Sequence, residues 1–145
     1  MKILVINGHP DKESYCQAIF QTIVETIDSN HHELKVISLN EEDFDPVLRY
    51  GYRKRMEEDP FILRSQEWIQ WADHLIFVYP IWWSSMPSLM KGWIDRVFTP
   101  GIAYSANDQG SFIWNYLRGK QFKKLLKGKT ASIYATSMAP TWWYK

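Results

Sequence analysis

"LIFVYPIWWSSMPSLMKGWIDR" (Leu75–Arg96) decides the fold. Its first six residues are apolar on both faces, as in a central parallel strand covered by helices, and Pro80 ends the run. Two consecutive tryptophans, Trp82 and Trp83, follow on a loop. Ser84 or Ser85 is then expected to cap a helix with Pro87 in its first turn. Leu89, Met90, Trp93, Ile94, Val97 and Phe98 mark that helix's buried face, until Pro100 and Gly101 stop it.

The same strand–loop–helix unit opens the chain. Ile3 to Ile6 is a β-prone run, and "NGHPDKES" after it combines turn residues with a helix start. Tyr15, Ala18, Ile19, Ile23 and Ile27 recur at helical spacing behind Ser14 as N-cap, until Asp28, Ser29 and Asn30 break the pattern. Leu34 to Leu39 predicts a second strand, and Glu41 to Asp59 a charged segment wrapping the surface. Asp59 and Pro60 cap and start a helix through Asp73, with Ile62, Gln66, Ile69 and Ala72 on one stripe. A further helix is expected between Ser111 and Lys127. Gly128 then turns the chain into "TASIYATS", a fourth strand ending in hydroxyl residues.

Alternating strands and helices predict an α/β fold with a parallel sheet and right-handed crossovers. Ligands of such sheets lie beyond the carboxyl ends of the strands. Those ends here are "NGHPDKES", "YPIWWSS" and "YATSMAPTWWY".

A length of 145 residues fits one domain, residues 1–145. With 17 Lys and Arg against 16 Asp and Glu, the net charge of +1 offers neither the field of a nucleic-acid binder nor the excess of a disordered tail. A single cysteine, Cys16, makes no internal disulfide, and the apolar stretch of "MKILVINGHP" is too short for a signal peptide, so the cytoplasm is expected. The longest apolar run, Leu75 to Trp83, is far too short for membrane insertion. The aromatic residues, 8 Trp, 8 Tyr and 7 Phe, are the unusual part of the composition. They point to a large ring-binding site or an interface.

Three motifs are missing: G-x-G-x-x-G, G-x-x-x-x-G-K-[ST] and G-x-S-x-G, the marks of dinucleotide folds, P-loops and serine hydrolases. Ser14, Tyr15 and Cys16 stand where a helix exposes amide N–H groups and the positive end of its dipole, which suits a phosphate. An ordinary capped turn accounts for the same residues. His9 is either a turn histidine or a phosphate neighbour. Trp82 and Trp83 could floor an isoalloxazine ring, plug the core or make a dimer contact. An aromatic loop and a phosphate-favouring loop in one open sheet are complementary halves of a flavin mononucleotide site. Cys16 is either a thiol of lowered pKa or a small packing residue. His31 and His32 lack a zinc pattern, so no metal is expected. Lys120, Lys123, Lys124 and Lys127 share a face of the expected helix, which reads as a solvated face in preference to a nucleic-acid contact.

"NGHPDKESYCQAIF" and "YPIWWSSMPSLMKGWIDRVFTPGIAYS" together resemble the flavodoxin-like NAD(P)H:quinone oxidoreductases, the DT-diaphorase-like family. The resemblance runs over essentially the whole chain and is densest from Tyr79 to Tyr104. It implies a flavodoxin-like three-layer sandwich with four of the usual five strands. It also implies ping-pong, two-electron transfer from NAD(P)H through flavin to a quinone or similar acceptor. FMN is expected, with FAD the other possibility. Residue by residue, His9, Ser14, Tyr15, Cys16 and Ala18 match positions around the flavin phosphate and ribityl chain. Pro80, Ile81, Trp82 and Trp83 match the isoalloxazine shelf, whose backbone groups would bond the ring edge. Tyr104 matches a substrate-pocket tyrosine, in a pocket that a second subunit completes, so a homodimer is implied.

Two departures accompany the match. Where the family has a Thr-Gly-Gly-like loop, this chain has Thr136, Ser137 and Tyr144 as candidate replacements. The family's further helix, fifth strand and final helix lie beyond residues 1–145, so a fourth strand with an uncovered apolar face is expected. Two other functions stay open: a flavodoxin-type electron carrier, and a regulatory or truncated subunit without catalysis.

Overall fold

The computed structural model describes residues 1–28, 32–105, 123–140 and 142. Its frame is β1 (Lys2–Asn7), α1 (Tyr15–Asp28), β2 (Glu33–Ser38), α2 (Pro60–Trp71), β3 (His74–Pro80) and α3 (Ser88–Val97). Two short strands, β4 (Tyr104–Ser105) and β5 (Lys123–Lys124), precede β6 (Thr130–Thr136). The main sheet is parallel in the order β2-β1-β3-β6, with Val5 opposite both Val36 and Ile76, and Phe77 opposite Ile133. The chain moves from β1 to one neighbour and then returns to β3 on the other side. With right-handed crossovers, that reversal sends α1 to one face and α2 to the opposite face. The carboxyl ends of β1 and β3 therefore part around a crevice.

Period-two alternation distributes the core. Leu4 and Ile6 of β1 pack with Phe61, Ile62 and Ile69 of α2 and with Met90, Trp93 and Val97 of α3. Ile3 and Val5 face the other way, onto Cys16 and Phe20 of α1, with Ile19, Ile23, Val24 and Ile27 closing that layer. The result is the expected three-layer α/β sandwich of flavodoxin-like type, with four parallel strands. Leu75, Ile76 and Val78 of β3 are buried, as a central strand requires.

The predicted Asp59–Pro60 start of α2 holds: the Asp59 carboxylate accepts from the N–H groups of Phe61 (2.9 Å) and Ile62 (3.2 Å). The start of α3 differs from expectation. Ser84 and Ser85 are spent in a hairpin, and the helix begins at Ser88 behind Pro87, without a side-chain cap. The Glu41–Asp59 segment has no long element but is anchored. Phe44 packs on the core, and the Arg96 guanidinium, 7% exposed, donates to the Asp45 carbonyl. The helix expected between Ser111 and Lys127 lies outside the described residues up to 122. From Lys123 onward it is contradicted: Lys123 and Lys124 pair with Ser105 and Tyr104, and a turn follows. That pairing holds the backbone extended against the helical register the lysine spacing implied.

β6 pairs with β3 along its whole length, yet Ile133 and Tyr134 are 61% and 47% exposed. Among the described strands β6 stands at the edge of the main sheet. Among the described residues, no helix is long and apolar enough to cross a membrane.

Candidate functional site

Three loops meet at the carboxyl ends of β1, β3 and β6. The first is held by side chains capping amides two residues ahead. Asn7 Oδ1 accepts from His9 N–H (3.1 Å), His9 Nδ1 from Asp11 N–H (2.9 Å) and Asp11 Oδ1 from Glu13 N–H (3.0 Å). The loop then enters α1, where Ser14 Oγ accepts from Gln17 N–H at 3.2 Å, the predicted N-cap. Gly8 N–H donates to the Val78 carbonyl (2.8 Å), which ties the start of this loop to β3.

The second loop is a tight hairpin. Trp82 and Ser85 exchange both backbone hydrogen bonds (2.8 and 3.0 Å), and Trp83 and Ser84 take φ of 50° and 59° at its tip. Two consecutive left-handed residues make a type I′ turn, usually filled by Asn and Gly. Left-handed backbone costs a non-glycine residue free energy, and such strain gathers where a loop is held for a ligand. Trp83 projects fully into solvent, while Trp82 is 46% exposed and makes a T-shaped contact with the His9 ring.

The third loop follows β6. Ile81 N–H donates to the Thr136 carbonyl (2.8 Å), and Cys16 Sγ lies 3.2 Å from Thr136 Oγ1, so the end of β6 is fastened to both other loops.

Between them lies a cleft of about 490 Å³, within the range of small-molecule sites. His9, Tyr15 and Cys16 line it from the first loop, and Pro80, Ile81, Trp82 and Trp83 from the second. Thr136, Ser137, Met138 and Ala139 close it from the third. Nine of the residues singled out in the sequence are thus brought together. Ser14 and Ala18 flank the cleft without lining it: the Ser14 carbonyl accepts from Gln17 and Ala18 N–H inside the first turn of α1. Tyr144 lies outside the described residues.

Tyr104 is not brought to this cleft. α3 runs back along the sheet, so the residues after it return to the amino ends of the strands. There Gly101 and Ile102 lie beside Asp73 and Lys129, which immediately precede β3 and β6. Sequence reasoning also missed Met138 and Ala139 as walls and Asn7 and Gln17 as supports. A polar residue at the end of an otherwise apolar strand was the available signal for Asn7.

Cys16 is 1% exposed, and burial pushes its thiol above the usual value; its contact with Thr136 acts in the opposite direction and is weaker. It is therefore a packing residue of α1 and not a thiol of lowered pKa. The N–H groups of Ile81 and Trp82 are committed within the chain, so two of the backbone donors expected at a ring edge are already engaged. Among the described lining residues none is Asp, Glu, Lys or Arg. A bound anion would meet the α1 dipole, hydroxyls and His9 in place of a cationic side chain. Among the described residues, no group of three or more His, Cys, Asp or Glu is placed to hold a metal.

Comparison with known proteins agrees with the architecture. A family model described as the flavodoxin-like fold matches residues 1–145. NAD(P)H dehydrogenase [quinone] 1 of Cavia porcellus is 30% identical over 77% of this chain and 49% of its own length. The chain spans about half to two thirds of the length of the curated relatives it matches. Among solved structures, Smu.1420 of Streptococcus mutans is 32% identical with a TM-score of 0.70, covering 98% of this chain and 71% of that one. The NAD(P)H:quinone oxidoreductase of Methanothermobacter marburgensis also has a TM-score of 0.70, covering 97% and 89%. At 20% identity that likeness speaks for the fold.

Proposed function

The chain belongs to the flavodoxin-like fold family, and from that premise we propose that it is an FMN-dependent oxidoreductase carrying two electrons from NAD(P)H to a quinone or similar small acceptor. One observation carries this reading: an aromatic loop, a helix start and a hydroxyl-bearing loop border a single cleft. That donor set fits a mononucleotide. Pro80, Ile81, Trp82 and Trp83 offer a flat apolar wall for an isoalloxazine ring, the start of α1 at Tyr15 and Cys16 a seat for a phosphate, and Thr136 and Ser137 hydroxyls for polar ring atoms. FMN is preferred to FAD because the described walls supply these three needs and, among the described residues, no place for an adenine.

When bound, FMN supplies the reversible two-electron chemistry, and the protein binds, orients and excludes water. No side chain is assigned an obligatory acid or base role. NAD(P)H and acceptor use the same aromatic wall in turn, so steady-state kinetics follow a ping-pong pattern. The enzyme named for the Cavia porcellus relative is consistent with this substrate pair. A homodimer belongs to the same reading. Tyr104 stands away from its own cleft, so as a pocket residue it would serve the cleft of a second copy.

The test is direct. The purified protein mixed with FMN should retain yellow flavin absorbance after gel filtration and oxidise NAD(P)H when a quinone is added. Parallel double-reciprocal plots should result. A colourless protein without turnover in excess FMN overturns the proposal.

A further inference from the structure

Asn7 is polar, fully buried and placed at the end of a strand whose preceding residues are all apolar after Lys2. A burial pattern of this kind would accept valine or alanine, and burying an amide is unfavourable unless each of its groups is paired. Here each group is engaged, and each bond reaches a different part of the fold. Nδ2 donates to Gln17 Oε1 on α1 at 2.6 Å and to Ser38 Oγ at the end of β2 at 3.4 Å. Oδ1 accepts from the N–H of His9 at 3.1 Å. Ser38 Oγ in turn donates to Asn40 Oδ1 at 3.0 Å. One side chain thus joins β1, α1, β2 and the loop that bears His9.

His9 is held a second time. Its Nδ1 accepts from Asp11 N–H at 2.9 Å, and a backbone amide can only donate. With Nδ1 accepting in this bond, Nε2 is the ring nitrogen left to donate. His9 also lines the cleft and meets Trp82 in a T-shaped ring contact.

We infer that Asn7 is a positioning residue of the cleft: it sets where His9 stands and keeps the Asp11 bond in register, so that His9 presents Nε2–H as a donor to a ligand oxygen. This rests on the flavin reading above and deepens it. The phosphate end of the ligand would meet a fixed N–H donor at a site whose lining carries no Lys or Arg among the described residues. Gln17 and Ser38 act one step further out, since they hold Asn7 and not His9.

The test uses the full chain and two readouts. Long-range ¹H–¹⁵N correlation of the apo protein reports which nitrogen of His9 is protonated, and quenching of FMN fluorescence reports affinity. Wild type should show the Nε2–H tautomer. Asn7→Ala should mix the tautomers and weaken FMN about tenfold, the size of one lost positioning hydrogen bond. An unchanged tautomer or an unchanged FMN affinity in Asn7→Ala overturns the role. If Asn7→Ala does not fold, the Gln17→Ala/Ser38→Ala pair removes both Nδ2 partners, and unchanged FMN affinity there overturns it equally. Wild type that fails to bind FMN would sink the flavin reading instead, and the apo tautomer comparison would then decide the role of Asn7 alone.

Discussion

His9 and Trp82 meet edge to face, with ring centroids 5.5 Å apart and planes inclined at 75°. The contact joins the loop after β1 to the loop after β3, across the point where the strand order reverses. Such a pair contributes beyond simple area burial, because the positive edge of one ring meets the negative face of the other. A double-mutant cycle of His9→Ala and Trp82→Ala in urea denaturation should return a coupling of about 0.5–1.5 kcal/mol. Strict additivity would mean that the two loops are set independently.

The hairpin tip offers a second check. Ser84 sits at φ 59°, where glycine is unstrained, so Ser84→Gly should stabilise the protein by about 1 kcal/mol, read from the denaturation midpoint. Trp83 shares the strain but bears the exposed indole. Trp83→Ala should therefore lower FMN retention severalfold, while Lys124→Ala, in the exposed β5 strand, leaves it unchanged. Equal losses in the two variants would remove Trp83 from the proposed ring wall.

Gly92 marks a close approach of α3 to the segment before α2. A Cβ there would lie 2.3 Å from the Pro46 carbonyl oxygen and 2.5 Å from Pro46 Cβ, and the first of these is backbone. Gly92→Ala should destabilise the fold by about 1–3 kcal/mol, the usual cost of overpacking, seen as a lowered Tm. Gly51→Ala meets no neighbour within 4 Å and should suffer only from its φ of +56°. A Tm loss no greater for Gly92→Ala than for Gly51→Ala would show that the α3–Pro46 contact yields freely.

Cys16 should be slow to react with thiol reagents in the native protein and fast in urea, because burial raises its pKa above the ordinary 9.0. In folded protein the thiol keeps its proton to higher pH than in the unfolded chain. Between 9.0 and the raised folded value the native state binds the extra proton, so stability falls as pH climbs through that window. Cys16→Ala should flatten that part of the pH profile. Rapid native labelling at neutral pH would contradict the burial.

Much of this was legible along the chain. β3 declared itself by being apolar on both faces. α1 and α2 did so through helical spacing behind Ser14 and Asp59, each of which caps its helix as expected. These signals are local, since period, cap and turn chemistry depend on residues a few positions apart. The lysine spacing after Lys120 misled for the same reason: Lys123 and Lys124 are extended by a partner strand nearly twenty residues earlier.

By itself, then, the order of residues determined that strands alternate with helices, that the sheet is parallel and that its ligand-facing ends hold a turn-rich loop, two indoles and a hydroxyl pair. Only the folded chain decided which of those groups share a wall. Tyr104 is carried to the far end of the sheet by a helix antiparallel to the strands, and Thr136 is brought beside Cys16, 120 positions away. Asn7 acquired its three partners in the same way. Side chains distant in sequence become neighbours only when long-range strand pairing and crossover handedness fix the layers, and no local pattern encodes that distance.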